Sequence, residues 1–259
     1  MMETIDFNKS EQYTLSIRLS TDGFSFSVFN PLENEEPSVY EHEVDESLSL
    51  TANLKQAFRE IKWLDRPFRR VNALMVSKRF TFVPLDFFKE EQAEIIFYYN
   101  HPKQENEIVQ HNALQKNSIV VLFGMDKSAC SFLGRQYANV RFYSQASALI
   151  EFFSAKSRQG NSRKMYVHLR KKAIDLFAYE RGRLQLANCF ECTATSDRIY
   201  YMLYVWKQLC FEQERDELYL TGYLPDKEQL LPELRRFIRQ VFIMNPAANL
   251  DLQAINLCE

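Results

Sequence analysis

The side chains able to do chemistry are few and widely spaced. Cys189 and Cys192 form a CxxC pair, the spacing of a dithiol couple or of half a zinc site. A zinc site needs a second ligand pair, and the chain has neither another CxxC nor an HxxxH. A redox couple sets its first thiol at a helix N-terminus after a strand, whereas Leu184 to Phe190 alternates like a strand entering a loop. The pair is therefore expected to pack, not react. His42, His101, His111 and His168 share no helical i, i+4 spacing, and none sits in the carboxylate pattern of a metal centre or a triad. GxSxG, GxGxxG and GxxxxGK(S/T) are all missing, which removes the nucleophile elbow, the dinucleotide loop and the Walker loop.

Composition narrows the classes further. A chain of 259 residues that is 46% hydrophobic and 25% charged fits one large globular domain or two small ones. Its 21 Phe and 13 Tyr supply the core, and only 6 Gly leave few places where backbone can approach a phosphate. Lys plus Arg at 32 against Asp plus Glu at 34 lacks the positive excess of nucleic-acid binders. Five scattered cysteines without secretory context fit reduced thiols. The longest apolar run, Ile119 to Phe123, is far short of a membrane span, so a cytoplasmic protein without membrane insertion is expected.

The elements that hold these residues repeat. Tyr13 to Leu19 and Phe24 to Val28 alternate about the turn Ser20-Thr21-Asp22-Gly23 and predict a hairpin. A third strand is expected over Val39 to Val44, then a helix carrying Leu54, Ala57, Phe58 and Ile61 after the caps Ser49 and Thr51. Val71 to Val76 predicts a strand and Asp86 to Tyr99 a second helix. The later half shows the same periods: strands at Tyr166 to Leu169, Ile174 to Tyr179 and Leu184 to Cys189, a helix capped by Thr195 or Ser196, a strand at Leu218 to Thr221 and a helix over Asp226 to Val241. Both halves spell β-β-β-α-β-α, an order two unrelated segments rarely share. Between them Ser118 to Phe123, Asp126 to Tyr137, Val140 to Tyr143 and Ser147 to Lys156 form a small β-α-β-α insert at about 118–156. The boundary is expected at the Gly160-Asn161-Ser162 stretch, giving an N-terminal lobe over 1–157 and a C-terminal lobe over 158–259.

This duplicated α/β plan resembles the actin-like ATPase fold of the ribonuclease-H-like superfamily, and the insert is similar to the extra subdomain of its bacterial pilus and cell-division members. As a whole the chain resembles an uncharacterised bacterial family to which that fold has been assigned. The resemblance implies ATP binding between the lobes by two hairpin motifs of apolar-Asp-apolar-Gly type, whose carboxylates position magnesium. Here Leu15-Ser16-Ile17-Arg18-Leu19-Ser20 puts Arg18 at the first Asp position, and Tyr166-Val167-His168-Leu169-Arg170 puts His168 at the second and Arg170 at its Gly. Asp22 precedes a glycine but lies four residues late, in the turn. The adenosine-side glycines correspond to Gly222 and Tyr223, where one glycine remains. All three nucleotide elements depart together, so loss of Mg-dependent catalysis is expected, with no cofactor.

Two functions follow from the resemblance. One is a non-catalytic scaffold that binds a protein partner. The other is a metal-independent anion or nucleotide binder in the inter-lobe cleft, using Arg18, His168, Arg170, Lys171 and Lys172. Charge is also segregated: Glu33 to Glu46 holds seven acidic residues and no Lys or Arg, and Lys156 to Arg183 holds nine basic residues against Asp175 and Glu180. Such runs are usually solvated loops; pairing between subunits would make a homodimer.

Overall fold

The protein is described by a computed structural model covering residues 5–32, 37–244 and 250–258. The chain divides into two compact units, Met1–Ser147 and Ala148–Glu259. The division falls inside one helix.

In the first unit, β1 (Thr14–Ser20), β2 (Gly23–Phe29) and β3 (Ser38–His42) form an antiparallel meander. Helix α1 (Leu50–Glu60) then crosses over to β4 (Arg70–Met75), which pairs parallel with β1. Period-two alternation sends Leu15, Ile17 and Leu19 of β1 to one face, where they are fully buried with Phe24, Phe26 and Val28 against Leu54, Ala57 and Phe58 of α1. Each such side chain contributes about 1.5–3 kcal/mol by leaving water. The Ser49 hydroxyl caps α1 by accepting from the Ala52 N–H at 3.2 Å.

After β4 the chain leaves the sheet. Strand β5 (Phe80–Pro84), helix α2 (Ala93–Asn100), β6 (Glu107–Leu114) and β7 (Ile119–Asp126) build a separate antiparallel sheet in the order β5-β7-β6. Ala93 and Phe97 of α2 pack on Val120 and Leu122 of β7, and Arg79 clamps Glu107 through two bonds of 2.8 Å. Helix α3 (Lys127–Gln136), whose N-terminus is capped by Asp126, then joins the first core, and β8 (Val140–Ser144) pairs parallel with β4. The completed sheet runs β3-β2-β1-β4-β8.

The expected insert at 118–156 is corrected here. Its strand belongs to the small sheet, but α3, β8 and the next helix, α4 (Gln145–Ser157), do not; the inserted piece is β5-α2-β6-β7. Asn112 of β6 meets the open edge of β8 with its side-chain amide, donating to the Phe142 carbonyl at 2.9 Å and accepting from the Ser144 N–H at 3.0 Å. The expected helix over Asp86 to Tyr99 is two 3₁₀ turns, Leu85–Phe87 and Glu90–Gln92, before α2.

The second unit repeats the first sheet. Strands β9 (Lys164–Leu169), β10 (Ala173–Glu180) and β11 (Arg183–Glu191) form the meander. Helix α5 (Thr195–Gln208) leads to β12 (Glu217–Gly222), and α6 (Lys227–Arg235) to β13 (Gln240–Ile243). The order β11-β10-β9-β12-β13, with β12 parallel to β9 and β13 parallel to β12, matches the first sheet position for position. The helix expected to reach Val241 ends at Arg235, because Gln240–Ile243 supplies the fifth strand instead. Ala194, one residue before the expected caps, is the N-cap of α5.

This sheet is covered on both faces. Met165, Val167 and Leu169 point toward Met202, Val205 and Trp206 of α5. On the other face Phe153 of α4 stacks on Tyr166 at 4.6 Å, and the Tyr179 hydroxyl donates to the Ile150 carbonyl at 3.1 Å. A short helix, α7 (Leu250–Ala254), follows. Among the described residues no helix is long and apolar enough to cross a membrane.

Candidate functional site

The β9–β10 hairpin carries four of the five residues of the expected anion site; Arg18 lies on β1 in the other unit. Register sets its chemistry. His168 of β9 stands opposite Asp175 of β10 and Thr221 of β12, and Asp175 stands opposite Cys189 of β11. These four side chains therefore share one face in a row across the sheet. His168, Asp175 and Thr221 are all buried, Asp175 completely.

A buried carboxylate needs a partner. Arg170, at the start of the turn, supplies it: Nε donates to Asp175 Oδ2 at 2.9 Å and Nη2 to Oδ1 at 3.1 Å, while Nη2 also reaches Cys189 Sγ at 3.1 Å. The turn backbone is equally occupied. Arg198 of α5, itself buried, donates from Nη2 to the carbonyls of Arg170 at 3.3 Å and Lys171 at 3.2 Å, and its Nη1 donates to Asp226 at 3.1 Å. Asp226 also accepts from the Thr195 hydroxyl. The Lys172 carbonyl accepts from the Cys192 N–H at 3.0 Å, and the Leu169 carbonyl from the Tyr223 N–H at 2.8 Å. Carbonyls 169 to 172 are thus all bonded within the unit. Lys171 and Lys172 lie on its surface.

Gly222 keeps a backbone role. Its φ is +93°, and a Cβ there would stand 2.2 Å from the Leu169 carbonyl oxygen and 2.9 Å from its nitrogen. Strand β12 can approach β9 this closely only with glycine. Tyr223 follows with its ring exposed.

On β1, Arg18 is half-buried and stands opposite Ser25 and Leu74. In the β1–β2 turn the Asp22 N–H donates to the Ser20 hydroxyl at 3.2 Å. These residues do not fit magnesium. The two Asp positions implied by the resemblance carry a guanidinium and an imidazole, and the carboxylate nearest the second, Asp175, is held bidentately by Arg170. Among the described residues no three His, Cys, Asp or Glu side chains gather as a metal site.

The cysteine pair lacks the lowered thiol of a redox couple. Burial pushes the Cys189 thiol far above its usual range, with Asp175 adding to the rise, and burial likewise raises Cys192. A redox couple needs the opposite shift. The basic stretch from Lys156 to Arg183 also loses members to internal pairs: Arg163 with Asp216 at 3.0 Å, Lys164 with Glu217 at 3.6 Å, and Arg170 with Asp175. The acidic run lies partly outside the described residues, which omit 33–36.

The roles of Asp175, Arg198 and Asp226 at this turn do not follow from the sequence. An acid five residues after Arg170, across a tight hairpin, was the available signal for Asp175. Nothing in the sequence marks Arg198, which sits among the apolar positions of α5.

No match is found among curated proteins. Among solved structures, a Bacteroides thetaiotaomicron protein described as having an actin-like ATPase fold and unknown function is 62% identical; the match covers 99% of this chain and 100% of that one, with a TM-score of 0.94. Two distant neighbours share the fold alone. One is in the PilM–PilN complex of type IV pilus biogenesis, at 10% identity and TM-score 0.58 over 95% of this chain and 97% of that one. The other is the ethanolamine utilization protein EutJ of Carboxydothermus hydrogenoformans, at 11% and 0.53 over 95% and 90%. Residues 2–241 match the family described as protein of unknown function DUF3822. The chain belongs to that family, and its fold is that of the actin-like ATPases.

Proposed function

We propose that this chain is a non-catalytic scaffold or protein-interaction protein of the bacterial cytoplasm, built on an actin-like ATPase fold whose nucleotide machinery has been replaced by internal contacts. One observation carries the proposal. The second hairpin turn, where the resemblance calls for backbone N–H groups and a carboxylate facing phosphate and metal, is occupied by the Arg170–Asp175 pair and by Arg198 bonded to the turn carbonyls. Neither former Asp position offers magnesium a carboxylate, and Arg18 at the first repels it; phosphoryl transfer without that ion lacks its main source of charge stabilisation. The fold itself is compatible with a binding role, since a neighbour of the same architecture occurs in the PilM–PilN complex.

The anion-binding alternative is weaker on the same ground. It draws on Arg18, His168, Arg170, Lys171 and Lys172; the Arg170 guanidinium is committed to Asp175 and His168 is buried, so it rests on Arg18 and the surface lysines 171 and 172. Phosphate release from ATP, followed with and without magnesium, tests the proposal. No turnover above the buffer rate is expected from the wild type, nor from Arg18→Asp or His168→Asp, because neither reversion clears the turn. Magnesium-dependent turnover by the wild type would sink it.

A further inference from the structure

Among the exposed apolar side chains, two clusters stand in surroundings of opposite charge. The first is on the small sheet. Helix α2 is apolar nearly all round, AEIIFYYN, yet only Ala93 and Phe97 are buried. Ile95 and Tyr99, one turn apart on a common face, are 71% and 90% exposed, and the nearby Phe87 is 75% exposed. A helix with this composition normally has both sides covered. Its surroundings are acidic on balance: Asp86, Glu90, Glu91 and Glu94 are all exposed, against Lys89 and Lys103, the latter over the Tyr98 ring.

The second is in the other unit, over the end of α6 and along β13. Phe237, Phe242 and Ile243 are exposed there, among the exposed Arg235, Arg236 and Arg239. Within residues 235–243 there is no acidic residue. A groove of about 680 Å³ runs between Glu214 and the β13 edge, with Arg235, Arg239 and Phe242 in its walls. Two of these arginines have surface partners, Arg236 with Glu233 at 2.9 Å and Arg239 with Glu214 at 2.8 Å. Both pairs are largely solvated, so exchanging them for another carboxylate costs little.

We propose that the α2 face of one copy docks into the α6–β13 groove of a second copy, with Ile95 and Tyr99 against Phe242 and the acidic rim of α2 against Arg235 and Arg239. This deepens the interaction reading above and rests on it. Charge selects the arrangement. Two α2 faces brought together would set Glu90, Glu91 and Glu94 against their own copies, and two grooves would set Arg235 against Arg235, beside arginines already paired to Glu233 and Glu214. Only the mixed pairing is complementary. The contact is therefore heterologous, and each copy offers both halves of it, so association continues beyond a dimer unless it closes into a ring. Ile95 and Tyr99 of one copy and Phe242 of the other together supply on the order of 400 Å², about a quarter of the total area of a standard interface. The charged rim must supply the rest, which makes the association moderate and salt-sensitive.

Light scattering coupled to size exclusion, and sedimentation velocity, test this on the full chain. Wild-type protein at about 100 μM in low salt should exceed monomer mass, and should dissociate as salt shortens the Debye length from about 30 Å to about 3 Å. Tyr99→Glu and Arg235→Glu/Arg239→Glu, all at exposed positions, should each be monomeric with unchanged circular dichroism, at least tenfold weaker in self-association. Mixing the two variants is decisive. Each retains one intact face, so an equimolar mixture should form a one-to-one dimer and nothing larger. A monomeric wild type, variants that associate like the wild type, or folded variants that fail to combine would each overturn the proposal. Nucleotide titration is unaffected by these outcomes, so failure of the second-copy contact and failure of the non-catalytic reading are separable.

Discussion

Breaking the Arg170–Asp175 pair should unfold the second unit with a cost that depends on which partner is removed. Asp175 is fully buried and the Arg170 side chain is 10% exposed, so the pair belongs with buried ion pairs, where truncating one member costs about 3–5 kcal/mol. In Asp175→Ala the guanidinium lies close enough to the surface to swing toward water, which places that variant near the lower end. In Arg170→Met the carboxylate stays inside without its cation, which places that variant near the upper end. The double variant removes both charges and should fall short of the summed costs by about 1–3 kcal/mol. Trp206 lies in the core of the second unit and Trp63 packs on that of the first, so urea unfolding followed by fluorescence in a Trp63→Phe background reports the second unit alone. Single-variant costs below about 1 kcal/mol, or strictly additive costs, would show that the turn is not held by this pair.

Other consequences are equally direct. Gly222→Ala should cost at least about 3 kcal/mol, from positive-φ strain plus collision with the Leu169 backbone, and lower the melting temperature by roughly 6–12 °C; a shift under about 2 °C would refute the close approach of β12 to β9. Asn112→Ala, which strips the bonds to the β8 edge, should cost about 1–3 kcal/mol in thermal or urea unfolding. Exposed Cys210 should react with a maleimide well before Cys189 and Cys192 at pH 8, because burial keeps the latter two protonated; equal rates would contradict that. Burial raises the phenols of Tyr166, Tyr179 and Tyr219 well above 10.0. Their neutral forms therefore stabilise the fold below about pH 10, and that stability is lost as pH climbs beyond it, so ultraviolet titration should show these tyrosines ionising together with unfolding.

Local patterns made the duplicated meanders legible. Leu15, Ile17 and Leu19 alternate on one strand, Met165, Val167 and Leu169 on its counterpart, and each is followed by a tight turn. Elements defined by distant pairing were harder to place. Strand β13 has four residues and no alternation to separate it from the helix before it, and its identity comes from parallel pairing with β12. Strand β6, half-buried along nearly its whole length, carries polar Gln110, His111 and Asn112 in its middle and gave no strand signal. The membership of β8 in the first sheet depends on β4, which lies more than sixty residues earlier. At the site, Arg18, His168 and Arg170 are visible in the sequence as departures from the motifs. That Arg170 serves Asp175 is not, because a run of charges in sequence does not reveal which members the fold buries.

Calorimetric titration with ATP, with and without magnesium, tests the central claim most directly. A turn bonded by Arg198 and flanked by the Arg170–Asp175 pair, with Arg18 and His168 at the former carboxylate positions, predicts no saturable heat up to about millimolar nucleotide, equivalent to less than about 4 kcal/mol of binding. Micromolar binding that requires magnesium would contradict it.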